Sequence, residues 1–148
     1  MRRYAKVFQE GLGHCKKHKV HLTLKSDAQP RFFKPRPLPF ALKPAVEMDI
    51  QRLVHNGVLQ KVEHSNSATP IVVVPKTSKA LELDDESRNF MVITTHLGLY
   101  QYTRLPFGIA AAPAIFQHTM ETMLQGLSGI VCYLDDVIVT GKSDAEHL

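Results

Sequence analysis

Asp135 and Asp136 stand between two short apolar runs, Ile-Val-Cys-Tyr-Leu at 130–134 and Val-Ile-Val-Thr at 137–140. Runs so rich in β-branched residues read as strands. Carboxylates without counter-charges are costly to bury beside them. The two acids therefore belong at the turn of an antiparallel hairpin, exposed, close together and rigidly supported. Such a turn suits a divalent cation, because hard cations prefer oxygen ligands. A plain Asp-Asp turn uses the same residues, since Asp favours turns, and Tyr133-Leu-Asp-Asp136 alone leaves both readings open.

The segments before the hairpin alternate between helical and strand spacing. Residues 20–24 alternate like a short strand, and 25–30 read as a turn. Four prolines within 30–39 predict an extended, irregular stretch, because proline fixes φ and removes a donor. A helix is predicted from about Lys43, with Pro44 in its first turn, Val46, Ile50, Leu53 and Val54 on one face, and Asn56-Gly57 as its stop. Residues 58–62 read as a strand, 65–69 as a loop, and 71–74 as a buried strand closed by Pro75. Residues 76–85 fit no element. Residues 90–94 and 99–103 flank a hairpin turn with Gly98 at its positive-φ position. After the loop at 105–108, Pro113 opens an amphipathic helix with Phe116, Met120, Met123, Leu124 and Leu127 on one face. Gly126 and Gly129 end it, and Ser143 with Glu146 resembles a capping box. The pattern is α+β with antiparallel hairpins.

Composition narrows the class. The 148 residues suit one domain, and 44% hydrophobic with 22% charged residues excludes wholesale disorder. No apolar run nears the roughly 18 residues of a membrane helix, so no membrane partner is expected. No secretory signal follows the basic start, and Cys15 and Cys132 then read as free thiols of an intracellular protein. The net charge of +4 is uneven: residues 1–43 carry +9 and residues 44–148 carry −5. A basic arm of that kind suits a polyanion, and it also suits a solvated tail. His14, Cys15, His18 and His21 match no zinc spacing, and a charged arm explains them better. Cys132, Met120 and Met123 read as core packing.

Several motifs together resemble a known family. Leu105-Pro-Phe-Gly-Ile-Ala-Ala-Ala-Pro-Ala-Ile-Phe-Gln117 followed by Tyr133-Leu-Asp-Asp-Val-Ile-Val-Thr-Gly141 is similar to the polymerase domain of Ty3/gypsy-type retrotransposon reverse transcriptases. Pro35-Arg-Pro-Leu-Pro39, Asn56-Gly-Val-Leu59, Ala68-Thr-Pro-Ile-Val-Val-Val-Pro-Lys76 and Tyr102-Thr-Arg-Leu-Pro106 agree, in the family's order, from about Val20 onward.

The resemblance implies an incomplete fingers-palm fold, with residues 1–43 as basic arm and Pro-rich connection and 44–148 as a partial polymerase domain. It implies an RNA/DNA template-primer and a deoxynucleoside triphosphate as partners, and two Mg²⁺ ions as cofactors. Asp135 and Asp136 would be two members of a metal-binding carboxylate triad. Lys76 would lie near the triphosphate, and Phe107-Gly108 beside the nucleotide sugar. Phe116, Gln117 and Tyr133 would support the template side and the palm. Ribonuclease H, in such elements, is a separate domain of the polyprotein.

The third carboxylate is the point of departure from the family. Family members carry several dozen residues between the Val-Pro-Lys motif and the stretch that matches 81–88, including a strand with an Asp in a Leu-Asp-Leu-type motif. Here only Thr-Ser-Lys-Ala separates Lys76 from Leu81. Leu83-Asp84-Asp85 mimics that motif but precedes the 90–103 hairpin, so it aligns with the later stretch. The chain alone is expected to lack polymerase activity. A non-catalytic nucleic-acid-binding remnant and an active enzyme with a rearranged site are the rival readings.

Overall fold

Helix α1, Lys43–His55, sets the first layer. A 3-10 turn at Phe40–Leu42 leads into it, and Pro44 sits where a missing N–H removes no helical bond. Gly57 stops it at φ +64°, a conformation open to glycine without steric penalty. Val46 and Ile50 pack on Leu59 and Tyr100, with Leu53 and Ile93 partly buried beside them. Val54, expected on the same face, is 40% exposed. The buried stripe is narrower than the sequence spacing implies.

The computed structural model describes residues 15, 18–72, 81–134 and 136–143. Length alone suggests one domain, but the chain divides into two compact units, Met1–Leu105 and Pro106–Leu148. Among the described residues no helix is long and apolar enough to cross a membrane.

The first unit is built on a four-stranded sheet. Its strands are β2 (Leu59–Val62), β3 (Thr69–Pro70), β5 (Val92–Thr95) and β6 (Gly98–Tyr102), in the order β2-β6-β5-β3. β5 and β6 form the expected hairpin, pairing Thr95 with Gly98 around a two-residue turn. Gly98 has φ +115°, as the turn requires. The expected buried strand at 71–74 is not where the sheet places it. β3 lies earlier, parallel to β5, and Val72 is 66% exposed. Pro70 lacks a donor, which suits the sheet edge. Val73 and Val74 lie outside the described residues.

A second, two-stranded parallel sheet joins β1 (Lys19–Val20) to β4 (Glu82–Leu83). The strand expected over 20–24 is thus reduced to two residues. Its anchor is helix α2, Asp85–Phe90, which the sequence reading missed. Asp84 caps α2 by accepting from the Ser87 N–H at 2.8 Å. Its other oxygen meets His21 Nδ1 at 2.6 Å. The buried Ser87 hydroxyl accepts from the Leu22 N–H at 2.7 Å, and the Asp84 N–H donates to the Val20 carbonyl at 2.9 Å. Leu83, fully buried, sits beneath this clasp. Part of the basic segment is therefore fastened to the body of the unit.

The clasp has a pH signature. Hydrogen bonds from Ser87, first its side chain and then its backbone, followed by the bond from His21, lower the Asp84 pKa to about 2. The hydrogen bond to Asp84, and then its charge, raise His21 above 6.5. A raised histidine contributes stability that is full below 6.5 and fades as pH rises through the folded-state value. A lowered aspartate contributes above 3.8 and fades as pH falls toward about 2. Thermal unfolding followed against pH should therefore show a clasp contribution at its fullest between about 4 and 6.5. His21→Ala should flatten the decline on the alkaline side, and an unchanged pH profile in that variant would contradict the assignment.

Candidate active-site hairpin

The second unit brings together one helix and one hairpin. Helix α3, Ala112–Leu124, starts with Pro113 in its first turn and ends before Gly126, at φ +86°. Strands β7 (Ile130–Tyr133) and β8 (Asp136–Val139) pair antiparallel, from Ile130 opposite Val139 to Tyr133 opposite Asp136. The period switch in the sequence predicted this hairpin and its helix. Gly129 closes the open end: the Thr140 N–H donates to its carbonyl at 2.7 Å. A Cβ at Gly129 would collide with the Thr140 carbonyl oxygen, and its φ is +73°. No other residue fits that position without rearrangement.

The turn is one residue earlier than the sequence suggested. Asp136 already belongs to β8, opposite Tyr133, so only two sequence positions, 134 and 135, separate the paired residues. A two-residue loop favours positive φ at its first position, because that twist matches the strands. Leu134 supplies it at φ +53°. A non-glycine residue there stores strain of about 1–2 kcal/mol.

Gln117 holds this turn. Its Nε2 donates to the Cys132 carbonyl at 2.9 Å, and its Oε1 accepts from the Leu134 N–H at 2.6 Å. One amide thus bonds the carbonyl before Tyr133 and the N–H after it. A single residue of a neighbouring parallel strand would bond those same two groups. A third bond, from Nε2 to Glu121 Oε1 at 2.6 Å, fixes the amide from within α3. The Gln117 side chain therefore closes the outer edge of β7 beside the turn and compensates for the strained Leu134.

Strand alternation puts Val131, Tyr133, Asp136 and Ile138 on one face. That face is open: Val131 is 62% exposed, Tyr133 69% and Ile138 60%. Asp136 presents its carboxylate there to solvent. Ile130 and Cys132, on the other face, are half-buried, as are Phe116 and Gln117. Met123 and Leu127, expected in the core, are exposed instead: among the described residues none covers them.

Of the remaining predicted residues, Phe107 and Gly108 lie in the loop before α3. Phe107 is 42% exposed, and Gly108 has φ +90°. Asp135 and Lys76 lie outside the described residues. Carboxylate oxygens at Asp135 and Asp136 are donors of the kind Mg²⁺ takes. Among the described residues no group of three His, Cys, Asp or Glu side chains is placed to hold a metal.

Residues 64–148 match the family model described as reverse transcriptase (RNA-dependent DNA polymerase). An uncharacterized Caenorhabditis elegans protein, K02A2.6, is 30% identical over 194 positions, covering 97% of this chain and 15% of the relative. That alignment exceeds the chain's 148 residues by 46, so the relative holds at least that many residues without a counterpart here. The retrovirus-related Pol polyprotein from transposon 297 of Drosophila melanogaster is 43% identical over 46% of the chain and 7% of the relative. The chain spans only a small part of these relatives. Among solved structures, the foamy viral protease-reverse transcriptase in complex with RNA/DNA hybrid superposes with a TM-score of 0.79 at 22% identity. It covers 99% of this chain and 26% of that one. The same enzyme with dsDNA gives 0.77 at 22% identity, over 99% and 39%.

The clamp gives a direct test. Gln117→Ala removes both bonds to the hairpin, each worth about 0.5–1.5 kcal/mol. Amide hydrogen exchange at Leu134 should quicken at least tenfold, while amides of β5 and β6 keep their rates. Unchanged exchange at Leu134 would show that the turn stands without the glutamine.

Proposed function

The chain belongs to the reverse transcriptase (RNA-dependent DNA polymerase) family, and from that premise we propose that it is a shortened polymerase domain of a Ty3/gypsy-type element that binds nucleic acid but does not complete nucleotide transfer. The observation that carries this reading is the β7–β8 hairpin, with Asp136 beside a strained turn that Gln117 holds in place. A supported turn of this kind would keep the Asp136 carboxylate ready without rearrangement, as charge stabilisation in catalysis requires.

In this reading Asp135 and Asp136 hold Mg²⁺, which supplies charge neutralisation at a phosphate when bound. Lys76 faces the triphosphate, and the Phe107-Gly108 loop lies beside the sugar. The positive φ of Gly108 lets the backbone come close to a ligand. Tyr133 offers its exposed ring next to Asp136. The partner is a template-primer, the class of ligand held by the foamy-virus enzymes solved with RNA/DNA hybrid and with dsDNA.

The defect lies in what joins Lys76 to Leu81. Bridging two ions needs a third carboxylate from a strand facing the turn, and four residues cannot contain that strand. The Caenorhabditis elegans relative holds at least 46 residues without a counterpart in this chain, as a shortened domain would leave. Asp84 is no substitute: both its oxygens are engaged, one by Ser87 and one by His21. Loss of one metal removes several kcal/mol of transition-state stabilisation, about a thousandfold or more in rate.

Primer extension on a primed RNA template, with Mg²⁺ and all four deoxynucleoside triphosphates, tests the proposal. The full chain should give no product above the Asp135→Asn variant. Mg²⁺-dependent extension by the full chain, abolished in that variant, would contradict it.

A further inference from the structure

Strand β8 leaves half of its backbone unused. The Thr140 N–H donates inward to the Gly129 carbonyl, and β7 and β8 pair from Ile130–Val139 to Tyr133–Asp136. Antiparallel strands aim their N–H and C=O groups at alternate sides. The main chain of Asp136, Ile138 and Thr140 therefore points toward β7, and that of Val137 and Val139 points away. Among the described residues no strand pairs with β8 on that outer side, and no backbone group bonds Val137 or Val139 there. All four residues of the strand are exposed. The outer edge of β7 differs, because Gln117 closes it beside the turn. The hairpin keeps one open edge, whose Val137-Ile-Val139 run carries neither the charge nor the proline that ordinarily protects an edge.

This edge is complementary to itself. When two copies lie antiparallel with Ile138 on the two-fold axis, Val137 of each copy faces Val139 of the other. Every outward N–H and C=O of the two valines then finds a partner. Charge selects this direction. Asp136 begins β8, and Lys142 follows its end. Antiparallel copies set Asp136 opposite Thr140 of the second copy, whose hydroxyl is a donor, with Lys142 of that copy on the diagonal beyond it. The two Asp136 carboxylates stand four positions apart along the strands, roughly 13 Å, where salt screens them. A parallel pairing would put Asp136 beside Asp136. Ile138 meets its own copy as a non-hydrogen-bonded pair, the closer of the two kinds.

We propose that the outer edge of β8 is a dimerisation edge for a second copy of this chain, paired antiparallel about Ile138. Pairing stops at two, since each hairpin uses up its open edge in making the contact. A strand of this length gives a small interface, so the association is weak and depends on concentration. The inference goes beyond the polymerase reading and does not depend on it.

Sedimentation equilibrium of the full chain, from micromolar to near-millimolar concentration, should show monomer and dimer and nothing larger. Val139→Pro removes an outward donor and leaves the bonds to β7 in place. By symmetry it deletes two hydrogen bonds from the dimer and should weaken it at least about tenfold. Ile138→Lys and Ile138→Glu put like charges face to face on the axis, and each alone should stay monomeric. An equimolar mixture of the two should dimerise again, because only this register sets position 138 against itself. A wild-type chain that stays monomeric throughout would overturn the proposal and leave the edge to a different chain. Dimers that survive in the separate charge variants, a mixture that stays monomeric, or wild-type species larger than two copies would overturn it as well.

Discussion

A single side-chain amide holds the β7–β8 hairpin to α3. Gln117 reaches from α3 to the carbonyl before Tyr133 and the N–H after it. It thereby replaces the neighbouring strand that the edge of β7 would otherwise need. A two-stranded hairpin by itself is marginal in water. Here Leu134 adds strain at φ +53°, so the hairpin depends on outside support. The short loop, the strained leucine and the exposed Asp136 carboxylate follow from one arrangement. Tyr133 pairs with Asp136 across two positions, Leu134 takes a positive φ at the first of them, and the amide bonds the N–H of that strained residue.

The two units differ in how they are stabilised. The first has a layered core of Val46, Ile50, Leu59 and Tyr100 and a polar clasp that fastens β1 to α2. In the second only Ala112 is buried among the described apolar residues, while Val131, Tyr133 and Ile138 lie open. The proposed loss of a palm strand accounts for that exposure. A hairpin built to sit within a larger sheet keeps its apolar side chains when the sheet is cut away. Open apolar strands of this kind are also prone to pair with other chains.

Period made much of the fold legible in the sequence. α1, α3, the β5–β6 hairpin and the β7–β8 hairpin each carry enough residues for a helical or strand rhythm to emerge, and glycines mark their ends. α2 has only six residues and no rhythm. Its one signal is the Asp84 cap with Ser87 three positions on, set in a stretch that otherwise fits no element. β1, β3 and β4 have two residues each, and partners far along the chain define them. The apolar run at 71–74 pointed to a buried strand, yet β3 formed at Thr69–Pro70 because β5 offers its parallel register there. At the candidate site, the residue types of Asp136, Tyr133 and Gln117 were readable from motif resemblance. The bonds from Gln117 were not, because they join positions 15 and 17 residues apart and only the packing of α3 on β7 brings them together.

On the proposed function, the hairpin presents half of a two-ion site. Mn²⁺ titration of the full chain, read by paramagnetic broadening of backbone resonances and by binding stoichiometry, tests it most directly. One weakly bound ion per chain should broaden residues 133–137 first, leave those of α2 sharp, and be lost in Asp136→Asn. Two ions bound at the hairpin, or one ion bound equally well by the Asp136→Asn variant, would contradict it.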